Sequence, residues 1–290
     1  MKLRKFAIVF IAVVLLLTMT GCNSVGFLSE GQINKLVSEY GKPQVEMVVE
    51  YTLNEHTTRL EIVYNLEVEK APITVANFIN LVNKEYYNNV VFDSRISSTT
   101  NSWIAGRYLY KDGEDLEYNY YQTEDVGYTI LGEFYQNGWQ LPVDEADKDN
   151  EEITDGNAKF SLFSLAMYHE SSVASFDKAS TAFFFTTSST QTENYKNYAV
   201  FATLASISVY VDDVLHVENA TEVPSSVLYD FNNNSAMSTT TTRKVVTGTD
   251  DEGNEQTTSR TMLRDPIVIK SITMVGDKDF TNYPHYVIEL

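Results

Sequence analysis

The chain has a single cysteine, Cys22, among 290 residues. A lone thiol excludes any disulfide within the chain and leaves no framework for thiol catalysis. Positive charge is also scarce: 21 Lys and Arg stand against 40 Asp and Glu, a formal net charge of −19. Such a surface repels phosphate backbones, so no nucleic-acid partner is expected, and the acidity itself reads as a solubility device. Histidine is sparse, and His56, His169, His216 and His285 share no metal-ligand spacing, so no metal site is expected. The acidic run Asp144–Glu152 lacks the glycine that a calcium loop carries at its sixth position and reads as a solvated loop. Nucleophile elbows, phosphate-binding glycine loops and dinucleotide fingerprints are missing, which leaves no cofactor to expect. Helix-favouring runs of Ala, Leu and Glu are scarce too, whereas 19 Tyr and 15 Phe are present, a balance that points to a mainly β fold.

One long apolar run is present, Phe6–Leu17, behind the basic residues Lys2, Arg4 and Lys5 and ahead of Met19-Thr20-Gly21-Cys22. It is short for a comfortable bilayer span, and the small residues before the cysteine suit a peptidase site. Residues 1–21 therefore read as a bacterial lipoprotein signal peptide, with Cys22 becoming the lipid-carrying N-terminus. An uncleaved anchor is the alternative. Both place the remainder outside the cytoplasm on a cell membrane. Residues 22–44, with Gly26, Gly31 and Gly41-Lys42-Pro43, read as a tether. Residues 45–290 hold the folded domain.

Within that domain Val45, Met47, Val49 and Tyr51 alternate, and after a polar interruption at 54–58 so do Leu60, Ile62 and Tyr64, which predicts an antiparallel pair. Val75, Phe78, Ile79 and Val82 then recur at helical spacing, with Pro72 suited to the first turn, and Val90-Val91-Phe92 starts another strand. A long polar excursion, about 218–264, contains two Thr/Val-rich stretches meeting at Asp-Glu-Gly-Asn, the pattern of a hairpin. Either it projects and extends a substrate surface or it is decoration. The tail from Gly276 has the makings of a further strand.

Several ordered blocks resemble one family. EKAPITVANFINLVNKEYYNNVVFDSR (69–95), GYTILGEFYQNGW (127–139), FSLAM (163–167), ASTAFFF (179–185), NYAVFATL (197–204) and DPIVIKSITM (265–274) are similar to successive segments of the cyclophilin-type peptidyl-prolyl cis-trans isomerases. The resemblance implies a closed eight-stranded antiparallel barrel capped by two helices, the second around Tyr210–Val217, where Val209, Val211 and Val214 suit helix or strand alike, with the long inserted hairpin before the last strand. It implies prolyl isomerisation on the outer wall, with Arg95 as the catalytic cation and Trp103, Phe184 and Tyr198 as substrate-binding pocket residues.

The match has gaps. Asp93-Ser94 replaces a single histidine before Arg95, and one extra residue turns a strand side chain to the opposite face unless a bulge absorbs it. A solvated surface arginine is therefore the competing account of Arg95, as an ordinary core aromatic is of Phe184. Ala105 and Ala182 stand where the family carries glutamines. The expected partners are proline-containing exported polypeptides and, through the lipid, the membrane; the protein is expected to be a monomer. Three functions fit: an isomerase assisting the folding of exported proteins, a non-catalytic binder or holdase, and an envelope scaffold.

Overall fold

The computed structural model describes residues 26–96, 101–110, 118–120, 127–139, 160–169, 173–187, 197–250 and 252–289. The expected signal peptide, Cys22, the acidic run Asp144–Glu152 and most of Lys111–Asp125 lie outside the described residues. In chain order the first elements are α1 (Glu30–Tyr40), β1 (Gln44–Leu53), β2 (His56–Leu66), α2 (Pro72–Asn83), β3 (Val90–Ile96), β4 (Ser102–Tyr110), β5 (Tyr118–Tyr120) and β6 (Tyr128–Thr129). They continue with β7 (Leu165–Met167), β8 (Phe183–Thr186), β9 (Val200–Val211), β10 (Val214–Ala220) and α3 (Ser225–Asn233). Last come β11 (Thr240–Thr249), β12 (Glu255–Leu263), β13 (Ile267–Met274) and β14 (Ile288–Glu289).

Alternation builds the first hairpin. Val45, Met47, Val49 and Tyr51 of β1 and Leu60, Ile62, Tyr64 and Leu66 of β2 are buried, because a strand's period of two sends each set to one face. Asn54 and Glu55 both take positive φ, as a two-residue turn between right-twisted strands requires, so β2 begins sooner than the polar run 54–58 suggests. The strands then pair in the order β4-β3-β13-β1-β2-β9-β7-β8, and β8 returns to pair with β4. Every step in that ring is antiparallel, so the barrel has eight strands and is closed, as the resemblance implies.

Two helices seal the ends, and one differs from expectation. The Tyr210–Val217 stretch is not a helix: Val209, Val211, Val214 and Val217 lie in the β9–β10 hairpin, whose turn residues Asp212 and Asp213 take positive φ. β-Branched side chains fit that pleated surface better than a helix. The second cap is α3, inside the segment expected as a mere insertion. Its Phe231 ring meets Tyr51, Trp103, Phe163 and Phe185 at centroid distances of 5.6, 5.3, 5.7 and 5.2 Å, all edge-on, and so plugs that mouth.

The other mouth is closed by α2, buried almost all round. A helix apolar on every side needs cover on both faces. The barrel covers one; the C-terminal tail covers the other, with Asn83 donating to the Phe280 carbonyl at 2.8 Å and β14 pairing with β6. At the N-terminus of α2 the Glu133 carboxyl group accepts from the amides of Ile73 and Thr74 at 2.9 and 2.8 Å, satisfying two of the helix's free amides.

Two further expectations need correction. Residues 30–40 of the supposed tether form α1, whose Ile33 and Leu36 are buried in the main core, so the tether reading does not extend over this helix. The β11–β12 hairpin forms with its turn held by Asp250, which accepts from the Glu252 and Asn254 amides, but it does not project freely. β11 pairs in parallel with β5, itself paired to β4, and Val245 and Met262 pack on Val91, Tyr108 and Val268 of the outer wall.

Replacing Phe231 by Ala should leave a cavity at the barrel mouth and cost about 3–5 kcal/mol, read by denaturant unfolding. Burial pushes the Glu133 carboxyl up from 4.5 to about 8, against the two amides that hold it down. The folded value lies above the unfolded one, so this group's contribution to stability is full below about pH 4.5 and is lost as pH rises through about 8. Melting temperature should therefore fall across that window more steeply for the native chain than for Glu133→Gln.

Candidate active site on the outer barrel wall

The β3–β4 ladder is irregular at two places. Val90 faces Leu109, Phe92 faces Ala105, Ser94 faces Ile104 and Arg95 faces Trp103, so the register slips on each side of Phe92. On β3 the extra residue is absorbed at Asp93-Ser94. On β4 the slack falls at Gly106-Arg107, where Gly106 has φ +94° and any Cβ would collide with the Thr181 carbonyl oxygen.

Residues directly opposite across a ladder share a face. Trp103 is fully buried in the barrel interior against Phe231, so its partner Arg95 is drawn to the inner side as well. The Arg95 guanidinium lies 5.4 Å from the Trp103 ring and donates to Asn101 Oδ1 at 3.3 Å and to the Asn232 carbonyl at the end of α3 at 3.2 Å. Arg95 is thus a mouth residue that ties β3 to the α3 cap.

A separate apolar patch lies on the outer wall. Phe184, Ile104, Ala166, Val200 and Phe160 are buried together, with Tyr168 and Tyr198 half-buried against them. Its position follows from β8, where Phe183 and Phe185 fill the interior and Phe184 between them faces out. Tyr198 meets Phe184 edge-on at 5.0 Å, and Phe160 lies 5.8 Å away, leaving Phe184 only 3% exposed. His169 braces Tyr198 at 4.8 Å between ring centroids, and its Nε2 lies 2.6 Å from the Asn197 carbonyl.

Of the residues expected at one site, the fold gathers Phe184 with Tyr198 outside and Arg95 with Trp103 inside; it does not bring the two pairs together. Ile104, opposite Phe184, takes the wall position expected of Trp103. Ala105 is buried in the interior, so no side chain at that position reaches the outer face. Cys22 lies outside the described residues.

A different cation does reach the outer wall. The Arg107 guanidinium is 5.2 Å from the Tyr168 ring and 5.9 Å from that of Tyr108. Its Nε donates to Asp93 Oδ2 at 3.0 Å, and its Nη2 donates to Asp93 Oδ1 and, at 2.9 Å, to Ser94 Oγ. Burial pushes the Asp93 carboxyl up and Arg107 opposes that, while Asp93 raises Arg107 and keeps it charged. Both irregular segments depart from the family pattern in sequence, and that pairing of departures was the available signal for Arg107.

The family model for cyclophilin type peptidyl-prolyl cis-trans isomerase/CLD matches residues 51–229, more than half of the chain. The chain belongs to the cyclophilin family. The match ends inside α3, and the barrel strand β13 lies beyond it, past the inserted hairpin. Similar solved structures include a Cryptosporidium parvum cyclophilin determined in the presence of the dipeptide Ala-Pro, 15% identical with a TM-score of 0.42, covering 81% of this chain and 99% of that one. The Mimivirus cyclophilin is 13% identical with a TM-score of 0.38, over 81% of this chain and 90% of its own. A cyclophilin from Hirschia baltica is 12% identical with a TM-score of 0.33, over 88% and 83%. No curated protein matches the chain. The family's enzymes are peptidyl-prolyl cis-trans isomerases acting on proline-containing peptides, and this cyclophilin is assigned to that enzyme class.

Phe160 and Tyr198 cover the Phe184 ring. Phe160→Ala should uncover Phe184 and raise kcat/KM for a proline tetrapeptide, mainly by lowering KM, whereas Phe184→Ala should lower it by about tenfold or more, the loss of one buried aromatic contact. Both are read in a protease-coupled isomerisation assay.

Proposed function

We propose that this cyclophilin is a lipid-anchored isomerase that works outside the cytoplasm on proline-containing segments of exported proteins. An X–Pro bond rotates over a barrier of about 18–20 kcal/mol and takes tens of seconds or longer unaided. Its catalysis needs no covalent step, only tighter binding of the twisted amide than of either planar form. The single observation that carries the reading is the outward-facing aromatic cluster of Phe184, Tyr198 and Ile104 on the wall of a closed barrel, which can take a prolyl ring where Phe160 moves aside. Anchoring is supported by the basic, apolar and Gly21-Cys22 pattern of the N-terminus. The chain as a whole carries a net charge of −19, and an acidic body of this kind remains soluble beside the membrane as a monomer.

The non-catalytic binder is the second reading, favoured by the loss of both glutamines. Ala105 points into the core, and the Ala182 carbonyl is occupied by the Tyr168 amide at 2.9 Å. Full-length protein in detergent should accelerate isomerisation of a proline tetrapeptide above the buffer rate; a rate equal to buffer together with binding of an unfolded client would establish the binder instead. Metabolic fatty-acid labelling should mark the native chain, and Cys22→Ala should abolish the label and release the protein from the membrane fraction.

A further inference from the structure

We propose that Arg107, and not Arg95, is the catalytic cation of this isomerase, and that Asp93 is the residue that positions it; the assignment rests on the isomerase reading above. The two arginines occupy opposite sides of the barrel wall. Arg95 is committed to Asn101, to the α3 carbonyl of Asn232 and to the Trp103 face, all at the mouth. From there its guanidinium serves the cap, while Phe184 faces the other way.

Arg107 touches the outer wall on two sides. Tyr168, which it overlies, packs on the Phe184 patch, and Tyr108 belongs to the neighbouring outer patch beneath the β11–β12 hairpin. Its side chain is 28% exposed and that of Asp93 only 3%, so the carboxylate lies underneath and the guanidinium lies toward solvent. A two-pronged carboxylate contact fixes the plane of the fork as well as its place. Nε and Nη2 are spent on Asp93 and Ser94, and among the described residues Nη1 has no partner. That leaves one charged donor available to the prolyl amide as it twists.

Both elements of the pair come from the irregular ladder. Asp93 stands at the β3 slip and Arg107 at the β4 slip made by Gly106. Bulges next to active sites re-aim side chains, and here two successive slips, one on each strand, leave a carboxylate and a guanidinium paired with each other. The residue inserted before Arg95 and the arginine after Gly106 are thus two parts of one arrangement.

The test compares full-length native protein with Arg107→Lys, Arg95→Gln, Asp93→Asn and the double variant Arg107→Ala/Asp93→Asn, which leaves no buried carboxylate unpaired. Tetrapeptide isomerisation, affinity for the same peptide and melting temperature are measured together. The double variant should lose about 100-fold in kcat/KM while still folding and binding peptide. Arg107→Lys, which keeps the charge without the fork, should recover part of that loss. Asp93→Asn should lower kcat more than it alters peptide affinity, a split that a purely structural residue does not give. Arg95→Gln should stay within about threefold of the native rate, because that change is far below the 100-fold expected of a lost transition-state donor. A folded double variant as active as the native protein overturns the assignment while leaving the isomerase reading intact, and loss of activity in Arg95→Gln alone transfers the role to Arg95. A native protein no faster than buffer overturns the isomerase reading and the assignment with it.

Discussion

The structure depends on the pairing of β4 with β8. Ser102 through Ala105 lie opposite Thr186 through Phe183, and this short antiparallel ladder turns an open sheet into a closed barrel. Closure removes two sheet edges and creates an inside and an outside. From then on each alternate side chain has a fixed fate. Trp103, Ala105, Phe183 and Phe185 go to the interior, while Ile104 and Phe184 go to the outer wall. Opening this seam would leave Phe231 and α3 with no mouth to plug.

β4 also joins to β3 and β5, so three neighbours constrain one strand. One slip in its ladder with β3 lies opposite Ile104-Ala105 of the seam, and the other lies at Gly106–Tyr108, just past the seam's end. Regular pairing along β8 keeps the core sealed, while slack on the other side permits Gly106 to approach the 181–182 backbone and Arg107 to turn outward. A buried carboxylate beneath such a turn would be unfavourable alone; the arginine fork satisfies both of its oxygens. Strain, charge and position are settled at one place.

The closing layers follow the same logic of cover. α2 is apolar all round and needs the C-terminal tail as well as the barrel, and its free amides need Glu133. α1 fits as a further element on the body, with Ile33 and Leu36 turned inward. The inserted hairpin extends the sheet from β4 through β5, and its Val245 and Met262 shield the outer wall beside Tyr108. Segments that look peripheral in the chain thus supply a cap, a cover and a wall.

Much of this was legible in the sequence because local periodicity reports burial directly. The β1–β2 pair, α2 behind Pro72 and the hairpin turn near Asp250 and Asn254 follow from spacing and turn chemistry alone, whereas spacing left open which face of Phe183-Phe184-Phe185 turns inward. Family resemblance supplied the closed barrel. The sequence left two further outcomes undecided: a run of valines after Leu204 suits helix or strand until a partner strand is present, and an inserted residue before Arg95 flips a side chain or not according to what the facing strand does. Only tertiary pairing decided those, since a bulge on β3 is resolved against β4, and β4 had its own slip. By itself the chain determined which residues are apolar and how they alternate; the closing of the barrel determined which arginine reaches Tyr168 on the outer wall, because inside and outside do not exist until the last seam forms.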